Sequence, residues 1–374
     1  MKNNWPKHLY ALDVSRGVAS LGVVLAHWSF FSHNHISPIL NFNEEEQPLY
    51  KVFKIFYDKG GMGVEYFFLL SGFVFFWLYK DAVQNKIVSI RTFWVHRFSR
   101  LYPLHFATLL LVAILQMMYS IREGEYYRFV YNDLYHFILN AAFINKWGLE
   151  VGLSFNAPVW SVSIEILLYL VFVTVAFSGR GNLRFCLVIS VLSFIVFHFI
   201  HHAIFKGLTL FFLGGVVYYL TCMVSAQYTY LKKPIYSITI MSWICVFINY
   251  YGFSLAEPIL NLGILGKAFL IGFPFYILFP FTVSSLALVE IDFGPFLKRL
   301  SWVGDITYSS YLLHFPLQLV FVIALSFGFI NQSFYLDIRY LLLYFVTLIL
   351  LSYWVYNSYE LPMQRKIREK LLKI

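Results

Sequence analysis

Ten long apolar runs decide what this chain can fold into. A helix needs about 20 largely uncharged residues to cross a bilayer. Runs of that kind lie at 9–31, 62–80, 101–120, 158–178, 184–204, 207–225, 235–253, 264–289, 303–328 and 338–358. Backbone polar groups find no water in hydrocarbon, so each run must be helical. The expected fold class is an all-α polytopic membrane protein, a bundle of about ten transmembrane helices forming one domain over 1–374. Pro274 and Pro280 interrupt the eighth run, and proline kinks a span where neighbours satisfy the freed carbonyls. Composition agrees. Only 13% of residues are charged, against roughly 25% in soluble domains.

The net charge of +9 is scattered between the apolar runs. That distribution fits membrane topology and not a nucleic-acid-binding face, so no nucleic-acid partner is expected. With the N-terminus inside, 18 of the 28 Lys and Arg residues fall on the inner side and nine on the outer, with Arg16 left in the membrane. The bias predicts that both termini are cytoplasmic. Lys2 and Lys7 precede a first run too long for a signal peptide and without a small-x-small cleavage site, so it reads as a retained helix. The cysteines, Cys186, Cys222 and Cys245, lie in apolar segments and read as small hydrophobic residues. The loop segment "YYRFVYNDLYHFILNAAFI" mixes aromatic and polar residues and reads as interfacial or re-entrant.

Charge inside the first run is what needs explaining. "LDVSRGVASLGVVLAHW" carries Asp13, Arg16 and His27, and each ionisable group at the centre of a span costs roughly 2.5–3.5 kcal/mol on insertion scales. Arg16 and His27 are 11 residues apart, about three helical turns, and so share a face. Asp13 is one turn before Arg16 and can pair with it. The pair serves either as a structural tie between helices or as part of a reaction centre. A histidine on the same face favours chemistry, because imidazole is the usual acid–base group near neutral pH.

Other runs carry similar features. "GVEYFFLLSGF" holds Ser71-Gly72 and reads first as close helix packing. "RFSRLYP" places Arg97 and Arg100 as an i,i+3 pair, either ordinary membrane anchors or a clamp for phosphates. In "VWSVSIEILLY", Ser161, Glu165 and Tyr169 share one face; Glu165 serves packing or acts near His27. "SYLLHFPL" puts Tyr311 and His314 one turn apart. The "HFIHH" cluster, His198 to His202, lacks a third ligand nearby, so no metal is expected. Walker A, dinucleotide-binding and nucleophile-elbow motifs are absent.

In this order and spacing, the five blocks resemble acyltransferase family 3, integral-membrane O-acyltransferases of about ten helices, over residues 12 to 317. The resemblance implies transfer of an acetyl or other short acyl group from acyl-CoA on the cytoplasmic side to a hydroxyl of an extracytoplasmic glycan. It implies His27, Arg16, Glu165 and Asp13 as catalytic residues, with His27 the general base. Arg97 and Arg100 would contact acetyl-CoA or another acyl-CoA. Ser71, Trp160, Ser163, Tyr169, Tyr311 and His314 would line the substrate cavity. The expected partners are the lipid bilayer, acyl-CoA and a carbohydrate acceptor, and the expected location is a bacterial cytoplasmic (inner) membrane. The chain is expected to be the stand-alone form, without the C-terminal hydrolase-like domain that some relatives carry. The alternative reading is a transporter or flippase of a lipid-linked glycan, which also needs buried charge.

Overall fold

The structure is a computed structural model that describes residues 5–34, 37–38 and 42–372. Two of the basic residues counted for orientation, Lys2 and Lys373, lie outside them. Among the described residues, ten helices are long and apolar enough to span a membrane, and the protein is an integral multi-pass membrane protein. They are α1 (Tyr10–Trp28), α2 (Gly63–Leu78), α3 (Ile90–Glu123), α4 (Trp160–Phe177), α5 (Leu183–Ile200), α6 (Ala203–Ala226), α7 (Lys232–Tyr251), α8 (Ile264–Phe293), α9 (Thr307–Ser326) and α10 (Ile338–Val355). Strand structure among the described residues is limited to a two-residue antiparallel pairing of His33–Asn34 with Ser37–Pro38.

Two expectations about element limits needed correction. The third helix begins at Ile90, eleven residues before the apolar run. Ser89 caps it, its hydroxyl accepting the Thr92 N–H at 3.0 Å. A search for apolar runs misses such turns because they carry polar side chains, here exposed Arg91 and half-buried Thr92. The basic tail after α10 is also helical, Leu361–Leu372, and follows a π-helical turn at Tyr356–Glu360. Pro274 opens a second π-helical turn, Pro274–Leu278, and α8 continues through it as the sequence predicts.

The chain divides into two compact units. The first comprises 1–19, 62–87 and 171–304. Its centre is the α2–α6 crossing, which is possible only because of glycine. A Cβ on Gly72 would sit 1.8 Å from the Phe211 carbonyl oxygen, and one on Gly214 2.0 Å from that of Leu69. Ser190 of α5 donates to the Thr209 carbonyl of α6 at 2.9 Å, and Trp5 lies among the rings of Phe73, Trp77 and Tyr218. The buried carboxylate of Glu290 receives the first N–H groups of α1, from Tyr10 at 3.0 Å and Ala11 at 2.8 Å. A negative charge at a helix N-terminus is favourable.

The second unit comprises 20–61, 88–170 and 305–374. It packs α3 against α9 and against the C-terminal helix, with Arg368 donating to the Ser99 hydroxyl at 3.1 Å. Trp28 at the end of α1 is fully buried among Phe31, Phe334 and Tyr344, and its indole donates to the Tyr335 carbonyl at 2.9 Å. Two prolines inside helices leave carbonyls without their usual partner. Pro316 frees the carbonyl of Leu312, and the Asn156 side chain donates to it at 3.0 Å. Near Pro103, Tyr308 donates to the Leu101 carbonyl at 2.6 Å and Tyr359 to that of Pro103 at 3.3 Å.

Candidate active site

α1 does two different things along its length. Its N-terminal half belongs to the first unit and is tied down there. Asp13 pairs with Arg16 at 3.2 Å and also bonds His8, while Arg16 donates to the Gly304 carbonyl at 2.8 Å. Backbone contact is tight: a Cβ on Gly304 would lie 2.4 Å from the Asp13 carbonyl oxygen. This geometry gives Asp13 and Arg16 a structural task whatever else they do.

The C-terminal half of α1 belongs to the second unit and ends in His27. The imidazole Nδ1 of His27 lies 2.9 Å from Nε2 of His314 on α9, with the ring centroids 5.1 Å apart and the planes inclined by 27°. Nδ1 of His314 lies 2.6 Å from the Tyr311 carbonyl oxygen. A carbonyl only accepts, so the proton sits on that Nδ1; in a neutral ring Nε2 is then an acceptor. His27 must therefore donate from its own Nδ1. The network assigns the tautomer, and it leaves the lone pair on Nε2 of His27. Backbone bonds hold both residues in place. Gln318 donates to the His27 carbonyl at 2.7 Å, one of the last-turn carbonyls a helix leaves open, and Tyr344 donates to the His314 carbonyl at 2.9 Å.

A second polar cluster forms in the same unit around α3 and α4. Glu165 accepts a short hydrogen bond from Tyr169. The guanidinium of Arg97 lies 5.9 Å from the centroid of the Tyr169 ring. The charges of Arg97 and Arg100 both act on the Tyr169 hydroxyl, and Arg100, Glu165 and Glu360 act on that of Tyr308. Glu360, almost fully buried in the π-helical turn after α10, accepts from Ser309 at 2.6 Å. The arginines differ: Arg97 is buried and Arg100 half-buried.

His27 and His314 come together, as do Arg97, Arg100, Glu165 and Tyr169. Glu165 bonds Tyr169, and His27 meets His314, Phe30 and Gln318. Tyr311 donates to the Pro158 carbonyl and bonds the Ser161 hydroxyl, both at 2.8 Å. Ser163 is fully buried and anchors the preceding loop: its hydroxyl accepts from the Lys146 N–H and its carbonyl from the Trp147 indole. Trp160 is half-buried at the start of α4. Ser71 lies beside Gly72 in the first unit. Glu360, Tyr308, Gln318 and Arg128 were not singled out from sequence. Glu360 alone carried a signal, an acidic residue at the end of an apolar run. Among the described residues no group of three or more His, Cys, Asp or Glu side chains is placed to hold a metal ion.

Comparison with known proteins bears on this arrangement. No solved structure matches the chain. It is 35% identical over 118 residues to acyltransferase MdmB of Streptomyces mycarofaciens, covering 30% of this chain and 27% of that protein. It is 30% identical over 122 residues to peptidoglycan O-acetyltransferase OatA of Listeria monocytogenes, covering 30% of this chain and 19% of that protein. The aligned part therefore spans about a quarter or less of each relative. The family model described as an acyltransferase domain matches residues 9–357. That match takes in the helices carrying His27, His314, Arg97, Arg100, Glu165 and Tyr169, and the chain belongs to acyltransferase family 3.

Proposed function

We propose that the protein is a single-domain membrane O-acyltransferase that moves a short acyl group, such as acetyl, from acyl-CoA to a hydroxyl of a carbohydrate acceptor. The observation that carries this reading is the chain of bonds from the Tyr311 carbonyl through His314 to His27, which presents Nε2 of His27 as a base. In the proposed step Nε2 takes the proton of the acceptor hydroxyl while its oxygen attacks the thioester carbonyl. The tetrahedral adduct collapses, the carbon–sulfur bond breaks, and the coenzyme A thiolate takes the proton back from the imidazolium. An ester and free coenzyme A result, and His27 is regenerated.

Arg97 and Arg100 suit the phosphates of the donor, since a guanidinium offers paired donors to such oxygens. Glu165, bonded to Tyr169 and lying among the charges of these arginines, orients the donor end in this scheme. Asp13 and Arg16 fix the N-terminal half of α1 within its own unit. We place the donor on the cytoplasmic side with both termini, following the Lys/Arg bias, and the protein in a bacterial cytoplasmic membrane. Cell-surface glycans are the acceptor class. The name of the Listeria relative makes peptidoglycan one member to test, beside O-antigen and exopolysaccharide.

The test follows acetyl transfer from labelled acetyl-CoA to glycan in membranes holding wild type or His27→Ala. Loss of about 100-fold or more is expected for a missing general base. A correctly inserted variant with wild-type activity would overturn the role of His27. Substrate movement with no acyl donor present would favour a flippase instead. Mass spectrometry of surface glycans from cells with and without the protein identifies the acceptor by the missing acyl mass.

A further inference from the structure

Against one face of the His27 ring lies a feature that the transfer step does not use. Phe30 stacks on His27 with centroids 4.4 Å apart and planes inclined by 24°. Arg128, from the segment that follows α3, lays its guanidinium 3.6 Å from the centroid of the Phe30 ring. Imidazole, phenyl and guanidinium thus form one column, and the charge of Arg128 reaches His27.

The segment is built to hold this arginine. Gln116, fully buried in α3, pairs both ends of its amide with the backbone of Tyr127. Its oxygen accepts the Tyr127 N–H at 2.9 Å, and its nitrogen donates to the Tyr127 carbonyl at 3.0 Å. The Tyr127 hydroxyl donates to the Phe30 carbonyl at 2.9 Å. The next residue, Arg128, has φ +61°, a left-handed conformation that costs a non-glycine residue roughly 1–2 kcal/mol. Three hydrogen bonds at Tyr127 offset that strain, and the result directs one side chain over Phe30. Burial lowers the Arg128 pKa from its ordinary value, yet an arginine remains charged. The stack occupies the flat face of the guanidinium, and its N–H donors lie along the edge, the geometry that grips two oxygens of one anion.

We infer that Arg128 is the specificity residue of the acceptor site, gripping an oxyanion, carboxylate or phosphate, on a sugar whose hydroxyl lies at His27. The inference rests on the acyltransferase reading for the hydroxyl, while the anion contact stands on the Arg128–Phe30–His27 column. Only the Phe30 ring lies between the imidazole and the guanidinium, with spacings of 4.4 and 3.6 Å, so a hydroxyl at His27 and an anion at Arg128 belong to the same sugar or to adjacent ones. A neutral sugar has nothing to place there.

The test uses the full chain purified in detergent and three methyl glycosides on one ring: the glucoside, the glucuronide and the glucoside 6-phosphate. Binding is measured by calorimetry for wild type, His27→Ala, Arg128→Gln and Arg128→Lys, with thermal unfolding as the check on folding. Wild type should bind at least one charged sugar about tenfold or more tighter than the glucoside. Whether the glucuronide or the phosphate gains tells which oxyanion is read. His27→Ala should keep the preference, Arg128→Gln should abolish it, and Arg128→Lys should keep part of it. Equal binding of all three sugars by wild type would overturn the proposal. So would an unchanged preference in Arg128→Gln, or in Arg128→Lys if the Gln variant does not fold. Absence of acyl transfer by wild type would sink the acyltransferase reading and leave this binding comparison to be judged by itself.

Discussion

His27 and His314, separated by 287 positions in the chain, share one hydrogen bond of 2.9 Å that fixes which nitrogen of His27 is bare. His314 is a positioning residue in this relationship, since it acts on the acceptor through His27. His314→Ala removes the partner and lets His27 adopt either tautomer. The kcat for acetyl transfer should fall by roughly 10²- to 10⁴-fold, the range of a lost general-base contribution. His314→Gln can still accept from His27 and donate to the Tyr311 carbonyl, and should recover about tenfold of that loss. Initial rates at saturating donor decide it. Equal loss in Ala and Gln variants would remove the tautomer argument and leave only packing.

The arginine pair invites a finer prediction than its sequence motif did. Arg97 is buried against Tyr169 and Arg100 is half-buried. Arg100→Ala should weaken coenzyme A binding about tenfold or more, the range for a charge-assisted contact, with the unfolding midpoint little changed. Arg97→Ala should lower both affinity and the midpoint, because it takes the cation from a cluster that contains Glu165. Isothermal calorimetry with coenzyme A and thermal unfolding in detergent separate the two. An Arg100→Ala protein that loses donor and acceptor binding equally would point to misfolding instead of a lost clamp.

How much of this was legible in the sequence depended on the range of the interaction involved. The ten spans were, because length and lack of charge suffice to mark a helix in lipid. So was the packing role of Ser71-Gly72, since a small pair within an apolar run marks a close crossing. Within one helix, spacing also sufficed: Glu165 and Tyr169 at i,i+4 are bonded, and Asp13 and Arg16 at i,i+3 are paired. What sequence left open was which helix each polar face meets. Glu165 was weighed either for packing or as a neighbour of His27, and spacing within α4 gave its bond to Tyr169 but not the helices it faces. Arg128 gave no sign, because its importance comes from Gln116 and Tyr127 fixing a left-handed turn. The early start of α3 was missed because its first turn is polar, with Arg91 exposed and Thr92 half-buried, and a search for apolar runs passes over it.

Outside the spans, one acid-sensitive contact is predicted. Asp133 caps the short helix Leu134–Ala141, accepting the His136 N–H at 2.8 Å and meeting the His136 ring at 2.9 Å. The backbone and ring bonds from His136 hold its carboxyl below the ordinary aspartate range. A carboxyl whose pKa is depressed by folding stabilises the fold above its unfolded pKa, near 4, and loses that contribution as pH falls through the lower folded value. Hydrogen exchange of the His136 amide should therefore speed up, relative to its intrinsic rate, as pH drops below about 4. In Asp133→Asn the amide should show no such added step. A wild-type profile without the step would mean that the cap does not hold the helix.

Asn156 offers a sharper test of how the second unit is assembled. Its side chain donates at 3.0 Å to the Leu312 carbonyl that Pro316 deprives of a helical partner. Asn156→Leu leaves that carbonyl buried without a donor and should cost about 1–3 kcal/mol, the penalty of an unsatisfied polar group. Pro316→Ala restores an N–H at position 316 and, with it, the normal bond to Leu312. In that background Asn156→Leu should cost about 1 kcal/mol less than in wild type, since the carbonyl is already partnered. The four proteins form a double-mutant cycle read by thermal unfolding in detergent. A coupling near zero would show that Asn156 holds α9 by its packing alone, and that the carbonyl freed by proline is satisfied elsewhere.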